Sequence, residues 1–169
     1  MNQNIFFPEF NNTIDFQNIT AEQIREARDR IISQTEEMIT EITKTDHPTF
    51  ENTIQRLDDL HNALEKVHAT TFLMAYVHPD ADIREESLES IRELSHFENE
   101  INLNVDIYKA IKAFSDQTDG SGLDHSAQKL MKDTLRDFEQ NGLGLPEEKR
   151  EEIRKLQNEI SDLGIQFES

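Results

Sequence analysis

The chain has no cysteine and no tryptophan, and its 169 residues include only five glycines and four prolines. Without cysteine there can be no disulfide, no thiolate metal ligand and no cysteine nucleophile. Glycine and proline mark turns, so their scarcity favours long helices over many short strands. Hydrophobic residues make up 35% of the chain and charged residues 31%. This balance fits thin helical layers with much exposed surface, or a piece of a larger protein.

Basic residues are also scarce, with 17 Lys and Arg against 35 Asp and Glu, which gives a formal net charge of −18. A nucleic-acid ligand requires a basic patch and an anionic membrane surface repels acidic chains, so we expect neither partner. No stretch approaches the roughly 20 apolar residues that span a bilayer. The opening MNQNIFFPEF lacks a basic region followed by a long apolar run. We therefore expect no secretory signal and a cytoplasmic location.

The pattern of apolar residues predicts an all-α fold of about six helices arranged in antiparallel hairpins. Residues 1–19 carry four phenylalanines without helical periodicity and are predicted to form an extended arm, followed by a helical domain over residues 20–169. Turn and capping residues predict the helix boundaries. Helices are predicted to begin near Thr20 with Gln23, Thr49, Asp80, Asn104 and Pro146. They are predicted to end at His47-Pro48, His78-Pro79, the 116–124 loop and Gly142.

The sixth predicted helix carries apolar residues at helical spacing and receives no stop signal before the chain ends. Its periodic residues are Ile153, Leu156, Ile160 and Leu163. A helix needs partners for its last carbonyl groups, and a Gly or Asn commonly supplies its end. We therefore expect that the chain is cut within this helix. Apolar side chains around Leu163, Ile165 and Phe167 should then be exposed, with self-association of the fragment as a consequence.

A metal-carboxylate site is one hypothesis that the helices allow. Glu65-x-x-His68 and Glu93-x-x-His96 fall on successive predicted helices, and di-iron bundles use two such pairs with two further glutamates. Glu93 and His96 lie away from the apolar stripe, however, so we expect them to face solvent or another lobe. The third histidine of interest, His61, shares a helical edge with Glu65 and His68, where a solvated or hydrogen-bonded group is favoured over a metal site.

The loop from Asp116 to Asp124 resembles a calcium loop only loosely. Its first glycine comes four residues after Asp116 rather than five, and the terminal bidentate glutamate is missing. A solvated turn is the better prediction. The sequence also lacks His-Glu-x-x-His, a Gly-rich phosphate loop and a nucleophile elbow. We therefore predict no catalytic residue, no cofactor-binding residue and no metal ligand in this chain.

Two stretches resemble segments near the start of the thimet oligopeptidase family of zinc metallopeptidases. They are DHPTFENTI at residues 46–54 and DFEQNGLGLPEEKREEIRKLQNEISDLGIQFE at residues 137–168. The opening FFPEFNNTIDFQNITAEQI and the middle INLNVDIYKAIKAF are similar to the same family in the same order, so the resemblance spans nearly the whole chain. It is greatest for bacterial oligopeptidase A and peptidyl-dipeptidase.

The resemblance implies a helical, two-lobed zinc peptidase that cleaves short peptides in a deep channel, with its zinc ligands far downstream of this region. The N-terminal segment would form channel wall and restrict access, and it would pack against the catalytic lobe of the parent chain. No catalytic or zinc-binding residue of the family matches a position here. Two other hypotheses stay open, a free-standing helical protein-interaction domain and the metal-carboxylate protein.

Overall fold

The computed structural model describes Phe16, residues 18–118 and residues 120–168. This part of the chain contains α-helices and no strand, which confirms the all-α prediction. The helices are α1 Ala21–Thr43, α2 Arg56–Val77, α3 Ala81–Asn102, α4 Val105–Ser115, α5 His125–Gln140 and α6 Glu147–Glu168. Residues 1–15 and 17 of the predicted arm lie outside the described residues, so the division at residue 19 stays a prediction.

Several helix ends form where their capping residues predict. The Thr20 Oγ1 atom accepts from the Gln23 amide at 3.2 Å, and the Gln23 side chain accepts from the Thr20 amide at 3.1 Å, which completes a capping box. Asn104 caps α4 by accepting from the amides of Asp106 and Ile107. Gly142, with φ of +92°, follows the end of α5 in the left-handed conformation that glycine tolerates.

The second helix begins differently from the prediction. A π-helical turn, Glu51–Gln55, precedes α2, and the Gln55 amide donates to the carbonyl of Phe50 at 2.9 Å. The buried hydroxyl of Thr53 donates to the carbonyl of Thr49, and Thr49 and Asn52 cap each other through their side chains. These side-chain bonds hold the wider turn at the position where the sequence pattern predicted the start of a regular helix.

The core lies between α1, α2 and α3, and α4 and α5 cover one side of it. Its largest fully buried apolar side chains are Ile24, Ile42, Ile54, Leu60, Val67, Ile101, Ile107 and Ile111. Burial of this set at about 25 cal/mol per Å² of apolar area is the main stabilising contribution to the bundle. The last helix, α6, lies mainly against α3, and its Ile153 packs against the edge of this core. None of the helices in the described ranges combines the length and the hydrophobicity that a membrane span requires.

Candidate functional site

Glu93 and His96 each contact a neighbouring helix. Glu93 is exposed, as the sequence predicted, whereas His96 is partly buried against α6. Glu93 Oε1 accepts from Arg28 Nη1 of α1 at 3.1 Å. His96 Nε2 lies 3.1 Å from Asp162 Oδ1 of α6. The two side chains therefore have partners on two different helices, Arg28 on α1 and Asp162 on α6, rather than a shared one.

The histidines of α2 are separated from that pair. His68 is half-buried with its ring centroid 6.5 Å from that of Phe72, and its buried Nε2 has no hydrogen-bond partner among the described residues. Glu65 is exposed. Burial lowers the pKa of His61, and the negative charges of Glu98 and Asp58 oppose that shift. In the described residues no three side chains of His, Asp or Glu are grouped so that they could hold a metal ion.

The side chains of the 116–124 loop serve the ends of its neighbouring helices. Asp116 Oδ1 lies 2.9 Å from Lys112 Nζ of α4, and Asp124 Oδ1 accepts from the amide of Ala127 at 2.8 Å as the cap of α5. Gly120 has φ of +76°, and its carbonyl accepts from Gln128 Nε2 at 3.0 Å. Both described carboxylates thus have structural partners. Asp119 lies outside the described residues.

Polar side chains join α6 to α3. Arg92 Nε and His96 Nε2 lie 3.3 Å and 3.1 Å from the same Asp162 oxygen. One turn further along α3, Asn99 Nδ2 donates to Asn158 Oδ1 at 2.9 Å. Such partly exposed polar contacts each stabilise a structure by about 1 kcal/mol or less. We call this contact the α3–α6 seam.

Ile165 is the one apolar side chain of α6 that is buried in the described structure. It packs against Ala75 of α2 and Ile91 of α3 and is 9% exposed. The prediction that Ile165 belongs to an exposed patch is therefore wrong. Its neighbours in that predicted patch behave as expected, since Leu163 is 56% exposed and Phe167 is 92% exposed. The reason is helical periodicity, because Ile165 is about half a turn from both residues.

The candidate functional surface is the outer face of α6, which points away from α3. It is formed by large apolar side chains that are each more than half exposed, namely Leu156, Ile160, Leu163 and Phe167. The sequence pattern identified three of these as a helical stripe, and such a stripe ordinarily packs onto the core. Here the stripe is left open. The apolar pattern did not reveal which side of α6 meets α3. That side carries the polar residues Asn158, Ser161 and Asp162, which contact polar side chains of α3.

The model of the Neurolysin/Thimet oligopeptidase, N-terminal domain, family matches residues 19–150. This chain belongs to that family. The chain is 26% identical over 152 residues to Oligopeptidase A of Haemophilus influenzae and 25% identical over 153 residues to Oligopeptidase A of Escherichia coli. It is 29% identical over 150 residues to the Thimet-like oligopeptidase of Dictyostelium discoideum. These alignments cover 90%, 90% and 87% of the chain, respectively.

The matched segment is a small part of each relative. The chain spans about a fifth of the length of these curated relatives, since the alignment covers 22% of each. The family membership therefore applies to an N-terminal domain. The whole outer face of α6 follows residue 150, where the family match ends, although the alignments with the relatives cover most of the chain.

Proposed function

We propose that this chain is the non-catalytic N-terminal helical domain of a larger zinc oligopeptidase. In that enzyme the domain forms part of the wall of a deep channel, and this wall admits short peptides and excludes folded proteins. The observation that carries this proposal is the family match over residues 19–150 combined with coverage of only 22% of each relative. The proposal keeps the cytoplasmic location expected from the sequence, which cell fractionation would test.

Zinc belongs to another part of the proposed enzyme, because the residues present here do not fit it. The sequence has no His-Glu-x-x-His, which would place two imidazoles one turn apart beside a carboxylate. Glu93 and His96 are held by partners on two different helices, Arg28 on α1 and Asp162 on α6. When bound in the catalytic part, zinc would activate water for attack on a peptide carbonyl. No step of that hydrolysis is assigned to residues of this chain.

A wall that excludes folded proteins must be rigid, and the contacts of α1, α2 and α3 support that role. Arg28 of α1 is 8% exposed and forms ion pairs with Glu86 and Glu93, which are seven residues apart on α3. The turn before α2 is fixed by Asn52, whose side chain reaches Thr45 as well as Thr49. Such cross-linked helices offer a fixed surface rather than a mobile one.

A chimera tests the proposed function. Oligopeptidase A of Escherichia coli would have the segment that aligns with this chain replaced by this chain, and a second variant would lack the segment altogether. Both would receive a fluorogenic short peptide and the same peptide sequence inserted in a loop of a folded protein. We expect the chimera to cleave the short peptide and spare the folded protein, and the deletion variant to lose cleavage or that discrimination.

Two results would contradict the proposal. One is a deletion variant that matches the intact enzyme on both substrates, because the domain would then have no effect on access. The other is chelator-sensitive hydrolysis of short peptides by this chain alone, with zinc bound at one equivalent, since we expect neither from a chain without the ligand motif. A chimera that folds but degrades the folded protein would leave only a structural role for the domain.

The outer face of α6 favours a second candidate, a free-standing helical protein-interaction domain. Exposed apolar stripes of this kind are typical of interaction surfaces. The coding sequence beyond Ser169 distinguishes the two candidates. A downstream His-Glu-x-x-His within the same reading frame supports the peptidase, and a stop codon directly after Ser169 supports the free-standing domain.

A further inference from the structure

The two sides of α6 are reversed relative to an ordinary amphipathic helix of a small domain. Its polar side, with Asn158 and Asp162, packs on α3, and its apolar side faces away from the bundle. Ile160, at the centre of the apolar side, is 68% exposed. Water contact with such a stripe is unfavourable, and the polar seam contributes little to offset it. A contact that continues on the outer side would remove this stripe from water.

The spacing of the apolar residues on α6 identifies the kind of surface that fits the outer face. Leu156, Ile160, Leu163 and Phe167 follow one another at intervals of four, three and four residues. These intervals are those of the a and d positions of a heptad repeat, which pack knobs-into-holes against another helix. A single helix lying nearly along α6 therefore matches the stripe over more than three turns.

Gly164 gives a second, independent indication of a close neighbour. It lies in the interior of α6, one turn after Ile160 and beside Leu163, where glycine destabilises a helix relative to alanine. Its backbone needs no positive φ, and a Cβ atom placed there would meet nothing within 4 Å. Nothing within the described bundle thus explains this glycine. A helix that approaches the edge of the stripe closely does explain it, because small residues let two backbones come together.

The charges along the stripe limit the partner. Glu152 and Glu159, seven residues apart, are exposed on the edge opposite Gly164, and Glu152 Oε2 lies 2.8 Å from Lys149 Nζ. An acidic edge is complemented by basic residues on the incoming helix. A second copy of this chain is a poor match, because each copy carries a net charge of −18 and the two acidic chains repel each other.

We propose that the outer face of α6 binds one amphipathic helix that has apolar residues at heptad spacing and Lys or Arg along one edge. The helix belongs to the part of the peptidase that this chain does not contain, about four-fifths of a relative's length by the 22% coverage. This inference rests on the proposed function for the source of the helix. The surface, its register and its edge charges follow from α6 alone.

A synthetic helical peptide tests the surface directly. The probe has about three heptads with leucine at a and d and lysine at the flanking e and g positions, and its twin has glutamate at e and g. A third peptide keeps the lysines and has serine at a and d, which isolates non-specific attraction to the acidic chain. Fluorescence anisotropy of labelled peptide, with the full chain as titrant, gives the affinities. We expect 1:1 binding of the lysine probe, at least about tenfold tighter than either other peptide.

Matched variants locate the binding. Ile160→Glu should weaken the affinity for the lysine probe about tenfold or more, because it places a charge in the apolar stripe of the outer face. The control is Val77→Glu on α2, where a similarly exposed apolar residue lies off the stripe, and it should leave the affinity unchanged. Gly164→Ala should raise the melting temperature of the chain and at the same time weaken its affinity for the lysine probe. A merely structural role for Gly164 would not produce that opposite pair of effects.

Several results would overturn the inference, namely no binding of the lysine probe, equal binding of the three peptides, or an affinity that Ile160→Glu does not change. A dimer of the chain by light scattering that Ile160→Glu dissociates would assign the face to a second copy instead. These measurements involve no hydrolysis, so a negative binding result does not bear on the proposed function, which the chimera tests separately. Tight, Ile160-dependent probe binding with a failed chimera would remove only the assignment of the helix to a peptidase.

Discussion

The guanidinium of Arg28 on α1 lies 3.1 Å from the carboxylate of Glu93 on α3, although the two residues are 65 positions apart in the sequence. The Arg28 side chain is nearly buried, and it also lies 3.7 Å from Glu86, one heptad earlier on α3. Glu86 in turn binds Arg25. The pair of glutamates and the pair of arginines therefore form one network across the α1–α3 interface.

Arg28→Ala should destabilise the chain. The change leaves the poorly exposed Glu86 with Arg25 alone and removes the cation beside Glu93, and loss of one partner of a partly buried pair costs about 1 to 3 kcal/mol. Urea unfolding followed by circular dichroism measures the free energy of unfolding. Arg136→Ala is the matched control, because Arg136 is exposed and its partner Asp133 keeps a second ion pair with Lys129, and we expect no measurable change there. Equal stability of both variants would contradict a structural role for the network.

Asn52→Ala should also destabilise the chain, because Asn52 holds the whole connection between α1 and α2. Its Oδ1 accepts from the Thr49 amide at 2.7 Å, and its Nδ2 donates to Thr45 Oγ1 and to the carbonyl of His47. Loss of a helix cap together with two further hydrogen bonds costs about 1 to 2 kcal/mol. The measurement is again urea unfolding.

Asn52→Asp separates the two parts of that effect. Aspartate keeps the acceptor for the Thr49 amide and loses the donor to Thr45 and His47, so its stability should fall between those of the wild type and Asn52→Ala. If Asn52→Asp matches Asn52→Ala, the donor bonds carry the whole contribution. If Asn52→Ala matches the wild type, the π-helical turn is held by Thr53 instead.

The same region shows how far the sequence alone predicts this fold. Helix existence follows from long apolar periodicity, and helix ends follow from local capping chemistry at Thr20, Asn104 and Gly142, so both were predictable. The π-helical turn at Glu51–Gln55 was not, because it depends on a hydrogen bond that a buried Thr53 makes inside the turn. The spacing of apolar residues does not reveal that one turn of a helix contains an extra residue.

The direction of the α6 stripe shows a second limit of the sequence. Periodicity places Ile160 and Leu163 on one side of the helix, but the side that meets α3 is decided by side chains distant in sequence, such as His96 and Asn99. Pairing of polar residues across two helices has no periodic signature in either helix. For the same reason, the spacing of Glu93 and His96 could be noted from the sequence, and their partners Arg28 and Asp162 could not.

Gly164→Ala should stabilise the free chain, by about 0.5 to 1 kcal/mol. The backbone there is helical and the space for a Cβ is open, so alanine lowers the entropy of the unfolded chain without strain. Gly142→Ala is the opposite case. Its φ is +92° and a Cβ would lie 2.7 Å from Ile153 Cδ1, so we expect a loss of about 1 to 3 kcal/mol. Thermal unfolding of both variants decides the matter, and stabilisation by Gly142→Ala or destabilisation by Gly164→Ala would contradict these assignments.

Stability should fall as the pH is lowered through the titration of His61. Burial lowers the pKa of His61 below its ordinary value of 6.5, so over the range between the two values the unfolded chain binds more protons than the folded chain. Stability then rises with pH across that range and is lost as the pH falls from 6.5 through the lowered pKa. The negative charges of Asp58 and Glu98 oppose this lowering of the pKa, so the neutral replacements Asp58→Asn and Glu98→Gln should make the loss of stability at low pH steeper.

Urea midpoints measured across this pH range should vary less in His61→Gln than in the wild type, whereas the exposed His47→Gln should keep the wild-type profile. A profile that His61→Gln leaves unchanged would show that burial of this imidazole does not set the acid stability of the bundle.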